Sequence, residues 1–135
     1  MNQFPKIAVI VLNHNHKEDL LNCLNSLFRI DYPNFEVIVV DNNSQDGALE
    51  AARLSYPKVS YIKNQENLGF AKGNNIGIRY ALERMADWVV LLNNDTKVKK
   101  DFLTKLAEAV ENDPKVGIAS PIIMKNDGPE VWFSG

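Results

Sequence analysis

Residues 87–96 read DWVVLLNNDT, a short apolar run that passes directly into a polar cluster. The run over residues 88–92 combines aromatic and β-branched side chains, which is typical of a strand buried on both faces of a sheet. Asn93, Asn94 and Asp95 follow it directly. Because open α/β sheets bind ligands beyond the carboxyl ends of their strands, this pattern predicts that Asp95 is a functional residue.

The same succession of an apolar run and a polar cluster occurs twice earlier in the chain. Residues 6–12 and 35–40 are predicted strands, and they are followed by polar residues 13–15 and 41–44. Parallel strands carry their carboxyl ends to one edge of a sheet, so we expect the three clusters to form a polar, weakly acidic crevice. Amides and carboxylates can hydrogen-bond a nucleobase and a ribose, and an aspartate can ligate a hard cation. The alternative is that Asn and Asp simply favour the loops after strands.

Strands and helices alternate through most of the chain. We predict helices over residues 18–28, 48–54, 70–85 and 99–111, further strands over 59–63 and 116–120, and a short pair of strands over 122–124 and 131–133. Alternation of this kind is typical of parallel βαβ units. The predicted fold class is therefore α/β, with a mostly parallel sheet flanked by helices and a single domain over residues 1–135. Because an apolar run reaches the last residues, we expect the N-terminal part of a longer protein; a naturally small domain is the alternative.

Composition argues against several functional classes. The 135 residues carry a formal net charge of −2, so no basic surplus points to nucleic acid. The basic residues Lys97, Lys99 and Lys100 are interpreted as a solvated helix start. No window approaches the roughly 20 apolar residues of a membrane-spanning helix. Cys23 is the one cysteine and lies in a helical apolar pattern, which predicts a buried, inert thiol. We expect a soluble domain in a reducing compartment.

Three glycines recur every four residues at the start of the predicted helix over residues 70–85. Gly69, Gly73 and Gly77 each weaken a helix by about 1 kcal/mol relative to alanine, so we expect backbone or ligand to approach closely there. Lys72 and the amides of the helix N-terminus could meet phosphate charge. Gly73 and Gly77 could equally serve helix–sheet packing. The spacing matches neither the dinucleotide-binding fingerprint nor the Walker loop.

The segments IAVIVLNHN, VIVVDNNSQDG, NLGFAKGNNIGI and VVLLNNDT together resemble the family 2 glycosyltransferases, which have the GT-A fold. The four motifs span essentially the whole chain in the right order, and they are most similar to bacterial rhamnosyltransferases and other cell-surface polysaccharide enzymes. The resemblance implies a Rossmann-like GT-A fold, here truncated. It also implies inverting transfer of a sugar from a nucleotide-diphosphate donor, with UDP- or dTDP-sugars favoured, to a saccharide or lipid-linked acceptor.

The same resemblance implies a divalent cation, Mg²⁺ or Mn²⁺, and no nucleic-acid partner. The expected location is the cytoplasm or the inner face of the cell membrane, with any peripheral membrane association through parts beyond this chain. The catalytic base of the family comes from the acceptor side, so we expect it beyond Gly135. Asp127 and Glu130 have no matching motif and are not assigned to that role.

By position, the resemblance assigns one metal ligand and a set of nucleotide-sugar contacts. Asp95 would ligate the cation, in a motif where Asn93 replaces the first aspartate of the family's DxD. The contacts to the nucleotide sugar would come from Leu12, Asn13, His14, Asp41, Asn67, Gly69, Lys72, Asn93 and Asn94. Within this set, Asp41 would hydrogen-bond the nucleobase. One protein carboxylate holds Mg²⁺ weakly, so we expect little metal to bind without the nucleotide.

Two other functions and one other site compete with the transferase as interpretations of this sequence. A nucleotidyltransferase usually has a Gly-rich, basic first loop, and the segment LNHNHKED has no glycine. A non-catalytic nucleotide-binding module is favoured if the chain is complete. His14 and His16 invite a zinc site, but no further His or Cys supports it, so His14 is interpreted as a residue that lines the nucleobase.

Overall fold

The computed structural model describes residues 4–134 and places a parallel sheet between two layers of helices. The strands are β1 (Ile7–Asn13), β2 (Phe35–Asp41), β3 (Ser60–Lys63) and β4 (Trp88–Asn93), and the helices are α1 (Lys17–Leu27), α2 (Ala48–Ser55), α3 (Gly69–Glu83) and α4 (Phe102–Glu111). The four strands lie in the order β3-β2-β1-β4 and all pair in parallel. This confirms the predicted α/β class. Within the described residues, no helix combines the length and apolarity needed to cross a bilayer.

Strand β1 is the centre of the core because both of its faces are covered. Val9 and Val11 face a cluster that includes buried residues of α1, α2 and α4, while Ala8 and Ile10 face α3. All four side chains are fully buried. The alternation follows from the strand period of two, and the β-branched residues on both faces explain why this run reads as continuously apolar.

Helix α3 approaches the sheet closely at two of its glycines. A Cβ atom added to Gly77 would lie 2.6 Å from Ile10 Cγ2 and 3.1 Å from Val40 Cγ2. A Cβ atom added to Gly73 would lie 2.5 Å from Leu12 Cδ1. Of the two roles open to these glycines, the structure therefore supports helix–sheet packing. Gly69 differs, because its φ of +77° places it in the left-handed region and nothing lies within 4 Å of its added Cβ.

Replacing Gly77 by alanine is expected to destabilise the protein. The added methyl meets Ile10 Cγ2, which is fixed to a β-branched carbon and cannot turn away without changing χ1. Overpacking costs about 1–3 kcal/mol, and the rigid contact at 2.6 Å places this substitution in the upper part of that range. The gain in helix propensity offsets about 1 kcal/mol of the cost. Urea unfolding should therefore show a loss on the order of 1–2 kcal/mol. Gly73→Ala is the matched control with a smaller expected loss, because it meets the mobile end of Leu12. A Gly77→Ala variant as stable as the parent would contradict this packing.

Two predictions about the strands are wrong. The run over residues 88–92 is not buried on both faces: β4 is an edge strand in the described part of the chain, and 48% of Leu91 is exposed. Residues 116–120 form no strand, and 93% of Ile118 is exposed. A strand needs a neighbour for its backbone hydrogen bonds, and no strand within residues 4–134 lies beside this segment. The short final pair is confirmed as antiparallel strands β5 (Ile123–Met124) and β6 (Val131–Phe133).

Candidate functional site

The carboxyl ends of β1, β2 and β4 meet at one edge of the sheet. In the strand register, Asn13 of β1 lies beside Asp41 of β2, and Leu12 lies beside Asn93 of β4. Residues 13–15, 41–44 and 93–95 are therefore neighbours, as the sequence predicts. We call these residues the strand-end crevice.

Asp41 lies beneath the surface of the crevice rather than in it. Its exposed fraction is 0%, and its carboxylate accepts three hydrogen bonds. Oδ1 accepts from the Ser44 hydroxyl at 2.5 Å and from Asn13 Nδ2 at 3.2 Å, and Oδ2 accepts from the Ser44 backbone N–H at 2.9 Å. The resemblance assigned Asp41 to the nucleobase. In this geometry Asp41 orients Asn13 and Ser44, and its contact with the nucleobase stays a prediction.

Asn13 connects the ends of all three strands. Its side chain is also buried, with 1% of the residue exposed. Nδ2 donates to Asp41 and to Ser44 Oγ, the latter at 3.1 Å, while Oδ1 accepts from Asn94 Nδ2 at 2.8 Å. The amide therefore links β2 to the turn after β4. Because Asn13 is buried in this role, only a small area of its side chain can contact a ligand directly.

The loops after β1 and β2 are held together by further bonds to backbone amides. Ser44 Oγ accepts from the Asn15 N–H at 2.9 Å, and Asn15 Oδ1 accepts from the Gln45 N–H at 2.7 Å. Asp46 Oδ2 accepts from the Lys17 N–H at 2.9 Å, at the start of α1. Asn15 has a φ of 55°, a conformation that asparagine tolerates better than most residues. These bonds fix the shape of the crevice.

His14 is half-buried on the side of the crevice that faces α3. Its Nδ1 lies 2.7 Å from the Asn42 carbonyl oxygen, which can only accept, so Nδ1 carries the proton. Nε2 is then the acceptor for Asn15 Nδ2 at 3.2 Å. Within residues 4–134, no group of three or more His, Cys, Asp or Glu side chains is placed to hold a metal.

The start of α3 is tied to the end of β2 through a buried pair of amides. Asn42 Nδ2 donates to the Gly69 carbonyl at 3.2 Å, and Asn42 Oδ1 accepts from Asn64 Nδ2 at 2.8 Å. Asn67 Oδ1 accepts from the Gly69 N–H at 3.0 Å, which fixes the turn that precedes the helix. Lys72 is exposed in the first turn of α3. The structure therefore places these predicted residues next to the crevice.

Asn42 and Asn64 are residues that the sequence prediction did not assign. Only the position of Asn42 in the polar cluster after β2 gave a signal, and nothing in the sequence marked Asn64. Both are buried, with 2% and 8% of their surfaces exposed. Because a buried amide needs hydrogen-bond partners, their pairing explains how α3 is brought to the sheet edge.

Asp95 differs from Asp41 in being exposed and free. Within residues 4–134, no protein donor lies within hydrogen-bond distance of its carboxylate. It lies in a turn in which the Thr96 N–H donates to the Asn93 carbonyl at 3.2 Å. A free carboxylate beside amide oxygens suits a hard divalent cation, so the donor set fits Mg²⁺ or Mn²⁺. A single carboxylate leaves most coordination positions to other ligands.

The thiol of Cys23 lies under the same turn. Its Sγ is 3.8 Å from the Asn93 carbonyl oxygen, and the residue is fully buried in α1. Burial, with a further contribution from the Asp95 carboxylate, raises the pKa of the Cys23 thiol to about 12. The prediction of a buried thiol is confirmed, and the raised pKa keeps it protonated and unreactive at neutral pH.

A separate open groove lies between α1 and the segment before α4. Its volume is about 500 Å³, and its lining includes Ser26, Arg29, Lys97, Lys99 and Lys100. None of these residues belongs to the strand-end crevice. The three lysines are exposed and lie just before Phe102, where α4 begins. They are therefore solvated residues that lead into this helix. The crevice, with its convergent polar groups, is therefore the candidate site.

Comparison with known proteins identifies the family to which the chain belongs. Residues 8–135 match the family model described as glycosyl transferase family 2. The chain is 31% identical over 121 residues to the dTDP-rhamnosyl transferase RfbF of Shigella flexneri, covering 90% of this chain and 40% of that protein. It is 28% identical over 123 residues to the low-salt glycan biosynthesis hexosyltransferase Agl10 of Haloferax volcanii, covering 90% of this chain and 38% of that protein. The chain thus spans about two fifths of the length of these relatives.

Solved structures give the same fold. The mannosyltransferase PcManGT from Pyrobaculum calidifontis, in complex with GDP-Man and Mn²⁺, matches with a TM-score of 0.77 and 28% identity over 86% of this chain and 35% of that chain. TarS 1-349 of S. aureus, in complex with UDP-GlcNAc, matches with a TM-score of 0.71 and 28% identity over 79% of this chain and 31% of that chain. These similarities confirm the predicted GT-A fold.

Proposed function

Because the chain belongs to glycosyltransferase family 2, we propose that its strand-end crevice binds a nucleotide-diphosphate sugar whose sugar the protein transfers to a saccharide or lipid-linked acceptor. The observation that carries the proposal is the joining of three strand ends by one buried side chain, Asn13, which bonds Asn94, the residue before the exposed Asp95. This arrangement offers polar recognition groups and a cation ligand at the position where open α/β sheets bind nucleotides.

The two sides of the crevice suit the two ends of the donor. Leu12 and His14 lie on the α3 side and present an apolar and an aromatic surface for a nucleobase. Asn67, Gly69 and Lys72 lie at the N-terminus of α3, where backbone amides and a cationic side chain favour the diphosphate. Asn93 is exposed beside Asp95 and would bond a hydroxyl of the donor.

The proposed reaction is a displacement with inversion at the anomeric carbon. An acceptor hydroxyl oxygen forms the new bond to that carbon while the bond to the diphosphate oxygen breaks. A base removes the hydroxyl proton, and we assign no residue of this chain to that role. Asp95 and neighbouring oxygens would hold the divalent cation, which when bound neutralises the charge that develops on the leaving diphosphate. Lys72, exposed in the first turn of α3, would add positive charge toward the diphosphate.

The donor and setting are proposed from the relatives. RfbF is named a dTDP-rhamnosyl transferase, whereas the matched structures contain GDP-Man or UDP-GlcNAc. We favour a UDP- or dTDP-sugar, in keeping with the resemblance to rhamnosyltransferases. We further propose a role in cell-surface polysaccharide synthesis in the cytoplasm, at the inner face of the membrane. A non-catalytic nucleotide-binding module is the alternative, and hydrolysis of the donor by a longer form of the protein would exclude it.

The proposal is tested by a thermal-shift screen of UDP, dTDP and GDP, each with and without Mn²⁺. A ligand present at 100 times its Kd stabilises the native state by about 2.7 kcal/mol. We expect a pyrimidine diphosphate to raise the Tm, with a larger rise when Mn²⁺ is present. Mn²⁺ alone should give little shift, because Asp95 is a single carboxylate. If none of the three diphosphates raises the Tm, the proposal fails.

A further inference from the structure

Four exposed cationic side chains line the open groove between α1 and the segment before α4. They are Arg29, Lys97, Lys99 and Lys100. Within residues 4–134, none of the four forms an ion pair with a carboxylate. Asp101, which follows them in the sequence, pairs instead with Lys105 at 2.7 Å. Because the whole chain carries a net charge of −2, this basic groove is a local concentration of positive charge that the composition does not explain.

Hydrogen bonds fix the two walls of the basic groove to each other. The Val98 N–H donates to Ser26 Oγ at 3.1 Å, and Ser26 Oγ donates to the Cys23 carbonyl at 2.8 Å. A backbone bond joins the Asp31 N–H to the Lys100 carbonyl at 3.0 Å. The segment over residues 97–100 is thus attached both to α1 and to the loop after it. The cations are therefore presented on a defined surface rather than on a free loop.

The three lysines occupy a position that is unfavourable for helix stability. Helix α4 begins at Phe102, and the N-terminus of a helix carries a partial positive charge that favours acidic side chains. The first turn of α4 contains no acidic residue, so Lys97, Lys99 and Lys100 add to the positive potential of the helix terminus. Proteins commonly break a local rule of this kind where a functional site requires it.

The basic groove lies one helical turn from the strand-end crevice. Cys23 of α1 contacts the Asn93 carbonyl, and Ser26, three residues further along the same helix, contacts Val98. One turn of an α-helix rises about 5.4 Å. A partner seated on the groove would therefore lie close to the turn that contains Asp95.

We propose that the basic groove is a docking surface for an anionic lipid bilayer. Clusters of four or more Lys and Arg side chains are typical of surfaces that bind anionic lipids. All the residues that line the groove are exposed or half-buried, which suits an extended charged surface better than a single small anion. The net negative charge of the chain argues against nucleic acid. The choice of a bilayer rests on the proposed function, which includes a lipid-linked acceptor.

The expected binding is reversible and sensitive to salt. Each cationic side chain near an anionic membrane strengthens binding roughly fivefold, so four of them contribute about 600-fold. This is weaker than the partition constant of about 10⁴ M⁻¹ that a single myristoyl chain gives. Docking of this kind would bring the crevice to the membrane surface without inserting any part of the chain. The membrane contact would then belong to this chain and not only to parts beyond it.

The test is flotation of the protein with lipid vesicles in the absence of nucleotide. Vesicles of phosphatidylcholine alone are compared with vesicles of phosphatidylcholine and phosphatidylglycerol in equal parts. We expect binding to the anionic vesicles only. Raising NaCl from about 0.1 to 1 M should abolish this binding, because the Debye length falls from about 10 to 3 Å. Equal binding to both kinds of vesicle would overturn the electrostatic docking.

A pair of matched variants locates the binding surface. The double variant Lys97→Gln, Lys99→Gln should bind the anionic vesicles about 25-fold more weakly than the parent. The control Lys58→Gln, Lys115→Gln makes the same change of net charge at exposed lysines before β3 and beyond α4. Strand β3 is at the opposite edge of the sheet from β4, so this control should lose less than about twofold. Equal losses in the two double variants would overturn the assignment to the groove.

Competition experiments separate a bilayer from other anions. Displacement of the protein from vesicles by soluble glycerol 1-phosphate would assign the groove to a small phosphate compound. Tighter binding to a single-stranded oligonucleotide than to the anionic vesicles would assign it to nucleic acid. Either result would overturn the proposal. Intact vesicle binding by a protein whose Tm no nucleotide raises would refute the proposed function alone.

Thermal unfolding shows whether the lysines serve the fold instead. The variant Lys97→Gln, Lys99→Gln should unfold at the parental Tm or above it, because it removes cations from the N-terminal end of α4. If its Tm falls, the single variant Lys99→Gln decides the matter, with an expected loss of vesicle affinity of about fivefold. Unchanged vesicle affinity in that variant would refute the docking surface.

Discussion

Replacing Asp95 by alanine is expected to lower kcat/KM for sugar transfer by roughly 100- to 10,000-fold while leaving the stability of the protein nearly unchanged. The large effect on rate follows from the loss of the one exposed carboxylate that the crevice, within the described residues, offers to a divalent cation. Cation stabilisation of a leaving phosphate is worth several kcal/mol, and each 1.36 kcal/mol is about tenfold in rate. The small effect on stability follows from the exposure of Asp95, whose carboxylate receives no hydrogen bond within residues 4–134.

The measurement is a steady-state assay with Mn²⁺ and the nucleotide sugar selected by the thermal-shift screen, paired with urea unfolding. Unfolding free energies of the parent and variant should agree within about 0.5 kcal/mol, as is usual for surface positions. Asp31→Ala removes another exposed carboxylate, in the loop between α1 and β2, and should leave both activity and stability unaltered. More than a tenth of the parental activity in Asp95→Ala would contradict its role as a cation ligand.

The position of the site was predictable because it depends on local patterns. The apolar runs of β1 and β2 are long and β-branched, and each ends in polar residues that have no place in a core. The alternation of strands and helices then required parallel pairing, which brings the strand ends together. The register of β1 against its two neighbours confirms that step. Local periodicity therefore accounts for the fold class and for the edge at which the crevice lies.

The burial of individual polar residues was not predictable in the same way. Asp41 and Asp95 each follow an apolar strand, and the sequence gives them similar surroundings. Yet Asp41 ends a central strand and is enclosed by three donors, whereas Asp95 follows an edge strand and is exposed. The difference depends on strand order, which is set by contacts between distant parts of the chain. Strand order also explains why the sequence-based prediction overestimated the burial of β4 and of residues 116–120.

Replacing Asp41 by alanine is expected to destabilise the protein by on the order of 3–5 kcal/mol, a large part of the 5–15 kcal/mol typical of a folded domain. The substitution removes the acceptor of three donors in a site that water does not reach. Each buried donor left without a partner costs about 1–3 kcal/mol. The Ser44 N–H is the most affected, whereas the Asn13 NH₂ group keeps its second bond to Ser44 Oγ. The Asp41→Asn variant should lose less stability, because its carbonyl oxygen can still accept hydrogen bonds on one side of the side chain.

Urea unfolding of both Asp41 variants distinguishes two roles of Asp41 that the sequence alone does not separate. One is direct contact with the nucleobase, and the other is support of the crevice from below its surface. If Asp41 contacted the nucleobase directly, as the family resemblance implies, its removal would lower nucleotide affinity and leave the unfolding free energy almost intact. The burial of Asp41 predicts the opposite result. The unfolding free energy should fall strongly, and nucleotide affinity should fall only because Asn13 is displaced. An Asp41→Ala variant within about 1 kcal/mol of the parent would therefore favour the direct contact. A large loss of unfolding free energy in Asp41→Ala, with an unchanged unfolding free energy in Asp95→Ala, would show that the two aspartates have different roles. Asp41 would hold the crevice together, and Asp95 would bind the ligand.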